Sequence, residues 1–142
     1  MQQFETLIRK RDGQPLRYLV VDDSVFARKN LQRILAMFGG LVAGEAENGV
    51  AAVEAYDRLQ PDLVLMDVTM PELEGIEAAD QITSHDPSAR IVMVSSVGYQ
   101  ENIEESLRKG ARYFVQKPPK PEVLYEVIKR VLGEEGATAP AR

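Results

Sequence analysis

The sequence predicts a doubly wound α/β domain, a five-stranded parallel sheet in the order 2-1-3-4-5 with helices on both faces. Three observations carry this expectation. Five short apolar runs alternate with five helically spaced segments along the 142 residues. Leu19-Val20-Val21, Leu63-Val64-Leu65-Met66 and Ile91-Val92-Met93-Val94 are apolar without a break, the pattern of strands covered on both faces. Glycine and proline fall between the segments, where turns are needed.

The apolar runs are residues 18–21, 41–46, 62–66, 90–94 and 112–115. After the first, Ala27, Leu31, Ile34, Leu35 and Phe38 recur at helical spacing, and Gly39-Gly40 marks the stop. Asn48-Gly49 follows the second run. It is also a hairpin signal, but the Ala-rich, helically spaced residues 50–56 make it a strand-to-helix turn. Ala52, Tyr56 and Leu59 then form the second helix, and Ile76, Ala79 and Ile82 the third. Ile103 and Leu107 give one turn-spaced pair before Gly110. Pro121 opens the last helix, whose stripe is Val123, Leu124, Val127, Ile128, Val131 and Leu132. Right-handed crossovers leave few ways to wind such a chain, and 2-1-3-4-5 is the expected one. The expected organisation is an N-terminal extension at 1–16, one domain at 17–133 and a flexible tail at 134–142, rich in Ala, Gly, Pro and Glu.

The length suits one domain with a real core. A net charge of -5 gives no electrostatic support to a nucleic-acid partner. With no cysteine, disulfide scaffolds and thiolate metal sites are excluded. No apolar run is long enough for a membrane span, and residues 1–11 lack the apolar core of a signal peptide. A cytoplasmic location is expected.

In open parallel sheets, ligands bind at the carboxyl ends of the strands, at the switch point, here between strands one and three. Asp22 and Asp23 end the first strand, Asp67 the third, Ser95 the fourth and Lys117 the fifth. Two carboxylates about 5 Å apart repel by about 3 kcal/mol at an effective dielectric of about 20. A hard divalent cation removes that cost, and Mg²⁺ suits a few carboxylates plus waters. Such a site, open on one side, accepts a phosphoryl group.

Each residue alone has a plain reading. Asp23 or Ser24 caps a helix. Asp67 starts a turn toward Met70-Pro71, Ser95 is a loop serine, and Lys117 is a solvated lysine. Their arrival together on one sheet edge is what chance does not supply. His85 has no partner ligands at metal spacing and reads as a surface residue. The five methionines read as core or loop residues.

Val20-Val21-Asp22-Asp23-Ser24, then Asp62-Leu63-Val64-Leu65-Met66-Asp67-Val68-Thr69-Met70-Pro71 with Gly75, then Val92-Met93-Val94-Ser95-Ser96, then Lys117-Pro118, resembles the response-regulator receiver family over about residues 17–133. The resemblance implies that Asp67 is the phosphoacceptor. It implies that Asp23, Asp67 and the backbone carbonyl of Thr69 bind Mg²⁺, with Mn²⁺ as a substitute, and that Asp22 holds the metal's water shell. Lys117 would pair with Asp67 or the phosphoryl oxygens. Ser95 and Phe114 would form the switch, and the Lys117-Pro118 bond would be cis. Implied partners are a histidine kinase or phosphotransfer protein as donor and an output target protein.

Pro119 departs from the aromatic that many members carry after Lys-Pro. Thr69 and Val97 stand at the positions that tune phosphoryl lifetime. Val97 cannot orient a water, so a long-lived phosphoryl group is expected. With only 134–142 after the domain, the chain is similar to stand-alone, CheY-like members, whose output is protein binding rather than catalysis. The other expectations are the receiver half of a chemotaxis methylesterase, which Val92–Ser96 also resembles, or a phosphorelay intermediate.

Three competing classes are weaker. A flavodoxin-like nucleotide binder needs a Ser/Thr/Gly-rich phosphate loop where Asp22-Asp23 stands. A haloacid-dehalogenase-type phosphohydrolase needs an Asp-x-Asp pair, which Asp22-Asp23-Ser24-Val25 lacks. A degenerate receiver would not keep the full acidic set with Ser95 and Lys117.

Overall fold

The structure is a computed structural model that describes residues 4–70, 72–96 and 100–133. Strands and helices alternate along the chain: β1 (Arg17–Val21), α1 (Val25–Met37), β2 (Leu41–Ala46), α2 (Gly49–Leu59), β3 (Leu63–Met66), α3 (Gly75–His85), β4 (Ile91–Ser95), α4 (Gln100–Arg108), β5 (Tyr113–Gln116) and α5 (Pro121–Gly133). The sheet order is β2-β1-β3-β4-β5, with every pairing parallel. The expected fold class is the one observed. Strand limits lie within a residue or so of the expected runs. Ser95 is the last residue of β4, and Lys117 follows the end of β5.

The unbroken apolar runs are explained by the two cores that the sheet separates. Leu19, Val21, Val64, Met66, Ile91 and Met93 meet Ala52, Ala55 and Tyr56 of α2 and Ile76, Ala79 and Ile82 of α3. Tyr18, Val20, Leu63, Leu65, Val92 and Val94 meet Leu31, Ile34 and Leu35 of α1 and Leu124, Ile128 and Val131 of α5. Alternate side chains of each strand thus enter opposite layers.

Local chemistry starts and stops the helices. The Ser24 side chain accepts the Ala27 N–H and caps α1, and Asn48 accepts the Ala51 N–H and caps α2, so Asn48-Gly49 is a strand-to-helix turn. The chain leaves α1 and α4 through Gly39 (φ 82°) and Gly110 (φ 123°), left-handed backbone that favours glycine.

Two helices depart from the apolar pattern. In α4 only Ser106 is fully buried, its hydroxyl donating to the Asn102 carbonyl at 2.8 Å, while Leu107 is exposed. In α5 Val123 is exposed and Tyr125 is buried instead. Tyr125 is covered by the N-terminal segment, which folds back as a short hairpin: Ile8 bridges Pro15, and the Arg9 N–H donates to the Gln14 carbonyl at 2.8 Å. Phe4 meets Phe38 edge-to-face and Tyr125 at a tilt, with ring centroids 4.9 and 4.7 Å away, and the Tyr125 hydroxyl donates to the Glu5 carbonyl at 2.9 Å. Leu7 and Leu16 are buried beneath it. Among the described residues, no helix is long and apolar enough to cross a membrane.

Candidate functional site

The parallel ladder continues one step past the strands and fixes the loop starts. The Asp22 N–H donates to the Ala46 carbonyl and the Asp67 N–H to the Val21 carbonyl, each at 3.0 Å. The Lys117 N–H donates to the Ser95 carbonyl at 2.9 Å. These bonds bring Asp22, Asp67, Ser95 and Lys117 to one edge of the sheet, with Asp22 and Asp67 at the point where the winding reverses between β1 and β3.

Asp22, Asp23 and Asp67 each offer an oxygen within 4.8 Å of the others. Asp22 and Asp67 are buried and Asp23 is exposed, so the group faces solvent on one side. Lys117 Nζ donates to Asp22 Oδ2 at 2.7 Å and to Asp67 Oδ2 at 3.2 Å. Burial pulls the Lys117 pKa down, but the Asp22 hydrogen bond and the Asp67 and Asp22 charges outweigh it, leaving the ammonium above its ordinary 10.5. The remaining oxygens of the two buried carboxylates meet main chain. Asp22 Oδ1 accepts the Ser24 N–H at 2.9 Å, and Asp67 Oδ1 faces the Thr69 N–H at 3.4 Å. Among the described residues, Lys117 is the one cationic side chain bonded to this three-carboxylate group. An all-oxygen donor set of this kind fits a hard cation such as Mg²⁺ better than a soft one.

Gly75 matters through its missing side chain. Its N–H donates to the Val68 carbonyl at 2.7 Å, and a Cβ there would overlap the Asp67 carbonyl oxygen. Only glycine lets α3 start this close beneath the acidic loop. Arg28 lies on the other side. Its guanidinium donates to the Asp22 carbonyl at 2.6 Å and to Glu45 Oε1 at 2.8 Å. From sequence alone, an arginine in the first turn of a helix reads as a solvated residue. The one available signal was its spacing from Asp22.

Ser95 is fully buried. Met93 pairs with Phe114 and Ser95 with Gln116, so Ser95 and Phe114 are diagonal neighbours on one sheet face. Phe114 is half-buried against the α2–α3 core. The Lys117-Pro118 bond is cis. Thr69 is exposed in the loop after Asp67. Pro71, Val97 and Tyr99 lie outside the described residues, as does 134–142. His85 is exposed, its Nδ1 at 2.9 Å from the Gln81 carbonyl oxygen within its own helix.

A family model described as "Response regulator receiver domain" matches residues 18–129. Chemotaxis protein CheY of Thermotoga maritima is 44% identical over 115 residues, covering 81% of this chain and 96% of the relative. Chemotaxis protein CheY of Bacillus subtilis is 43% identical over 116 residues, 82% and 97% of the two chains. The CheY of a CheX-CheY-BeF3-Mg²⁺ complex from Borrelia burgdorferi superposes with a TM-score of 0.81 at 35% identity, covering 86% of this chain and 93% of that one. An acidic cluster at the switch point of a 2-1-3-4-5 sheet and a family match across nearly all of that sheet say the same thing: the chain belongs to the response regulator receiver domain family.

Proposed function

We propose that this receiver accepts one phosphoryl group on Asp67 in an Mg²⁺-dependent reaction and signals by phosphorylation-dependent binding to another protein. The observation that carries the proposal is the Lys117 ammonium bridging Asp22 and Asp67 inside a three-carboxylate group open to solvent. Asp23, Asp67 and the Thr69 carbonyl would hold the metal, with Asp22 toward its water shell. When bound, Mg²⁺ supplies neutralising charge for phosphoryl oxygens. Mn²⁺ has the same preference for oxygen donors.

A carboxylate oxygen of Asp67 attacks phosphorus, the new P–O bond forms, and the bond to the donor breaks. A phosphohistidine donor leaves as its imidazole, so a histidine kinase or phosphotransfer protein is the partner of matching chemistry. Lys117 is already on Asp67 and transfers its hydrogen bonding to the phosphoryl oxygens, a charge-assisted contact. The Ser95 hydroxyl turns to donate to the same group. The volume it leaves is filled by Phe114, its diagonal neighbour, and the β5 surface changes. Transfer is thus a self-modification rather than turnover of a released substrate. The CheY relatives are named for chemotaxis, which supports a chemotaxis-type output target.

The test is incubation of the full chain with acetyl phosphate, with Mg²⁺ and with chelator, followed by intact mass. The expected result is one labile phosphoryl group with Mg²⁺ only. Steady release of phosphate without a phosphorylated species would mark a phosphatase and refute the proposal.

A further inference from the structure

We propose that Arg28 is a positioning residue for the cation site: by clamping the Asp22 carbonyl it aims the Asp23 carboxylate, and its loss weakens Mg²⁺ binding. This rests on the site reading above and extends it to a residue that lies outside the acidic group.

The Asp22 carbonyl belongs to the planar peptide unit that joins Asp22 to Asp23. Rotating that plane swings the Asp23 side chain. Both ends of Asp22 are held: its N–H donates to Ala46 on β2, and its carbonyl accepts the Arg28 guanidinium at 2.6 Å. Arg28 is itself anchored, with Nε donating to Glu45 Oε1 at 2.8 Å from β2. The Arg28 hydrogen bond is the largest influence on Glu45 and holds its carboxyl below the ordinary 4.5. The Arg28 side chain is largely buried at 12% exposure, which fixes the fork. Asp23, by contrast, is exposed, and among the described residues its carboxylate accepts no hydrogen bond. Its restraint is the backbone on either side: the Asp22–Asp23 peptide plane that Arg28 clamps, and the Ser24 N–H, which donates to Asp22 Oδ1 at 2.9 Å. Glu45–Arg28–Asp22 is a relay of the outer-shell kind, by which a charged pair remote from the ligand atoms orients them.

The sign of the effect separates this from a simple charge effect. A guanidinium that acted only as a nearby positive charge would repel a cation, so removing it would tighten Mg²⁺ binding. A guanidinium that positions Asp23 has the opposite consequence.

The experiment is calorimetric titration of the full, unphosphorylated chain with Mg²⁺, for wild type, Arg28→Ala, Arg28→Lys and Glu45→Gln. Far-ultraviolet circular dichroism of each metal-free variant checks folding. Arg28→Ala should weaken binding about tenfold, the lower range for outer-shell partners. Arg28→Lys keeps the charge but cannot span both acceptors, and Glu45→Gln loosens the anchor, so both should fall between. The Mg²⁺-induced amide shifts of Asp23 and Ser24 should shrink in the same order. Unchanged or tighter affinity in folded Arg28→Ala overturns the inference. If that variant does not fold, wild-type affinity in both milder variants overturns it instead. Wild type that binds Mg²⁺ yet takes no phosphoryl group from acetyl phosphate would refute the proposed function and leave Arg28's role standing. Wild type without Mg²⁺ affinity refutes both.

Discussion

Gly75 opens α3 against the Asp67 carbonyl, and its replacement is the sharpest single-atom probe of the site. A Cβ would overlap backbone rather than a flexible side chain, so either the helix start or the Asp67 loop must move. Alanine's advantage over glycine belongs to helix interiors and is small at a first residue, whereas forcing a methyl into a packed contact costs about 1–3 kcal/mol, so the clash wins. Gly75→Ala should lower the urea midpoint and slow labelling by acetyl phosphate. An equally stable variant that labels at the wild-type rate would show that the close approach is not needed. The acidic residues, Ser95 and Lys117 were legible because being polar at the end of an apolar run is a one-dimensional property. The contacts of Gly75 and Arg28 were not. Gly75 acts through what it lacks, and Arg28 is anchored by Glu45 of β2, a partner that only the folded sheet brings beside it.

At the scale of elements, the runs that became β1, β3 and β4 were readable because burial on both faces removes polar alternation. The hairpin formed by the N-terminal segment was not. Its anchors are far apart in sequence, with the Tyr125 hydroxyl bonding to the carbonyl of Glu5. Helix α4 was only half readable, since its one fully buried side chain is Ser106 rather than an apolar residue. One side-chain bond joins two elements: the Tyr56 hydroxyl of α2 donates to Asp86, just past α3, at 2.7 Å. Tyr56→Phe should destabilise the fold by about 1 kcal/mol, at the modest end because the pair is part-exposed. Hydrogen bonds, from Ser88 first and Tyr56 next, hold the Asp86 carboxyl below its ordinary 3.8. Burial first, and Asp86 second, push the Tyr56 hydroxyl above its ordinary 10.0. The Asp86 contribution is therefore present above 3.8 and lost as pH falls through the lowered value. The Tyr56 contribution is present below 10.0 and lost as pH rises through the raised value. The stability gap between wild type and Tyr56→Phe should be flat between these limits and shrink beyond both. A gap independent of pH, measured by denaturant titration, would contradict that origin.

Over the whole molecule, the proposed function requires charge added at one sheet edge to become a change of surface elsewhere. Ser95 and Phe114 lie on the same face of adjacent strands, which gives the coupling a route of two side chains. Beryllofluoride, a stand-in for the phosphoryl group, should shift amides of β5 and its flanking helices α4 and α5, and Phe114→Ala should confine the shifts to the acidic edge. Shifts confined to that edge in wild type would mean that the site does not reach the surface through this pair. That proposed sequence of events would begin with one bond to one Asp67 oxygen. The measurement that tests it most directly is intact mass after acetyl phosphate and Mg²⁺ for wild type and Asp67→Asn side by side. The account predicts a single added phosphoryl group on wild type and none on Asp67→Asn. Equal labelling of the two would contradict it, because Asp67 would then not be the acceptor.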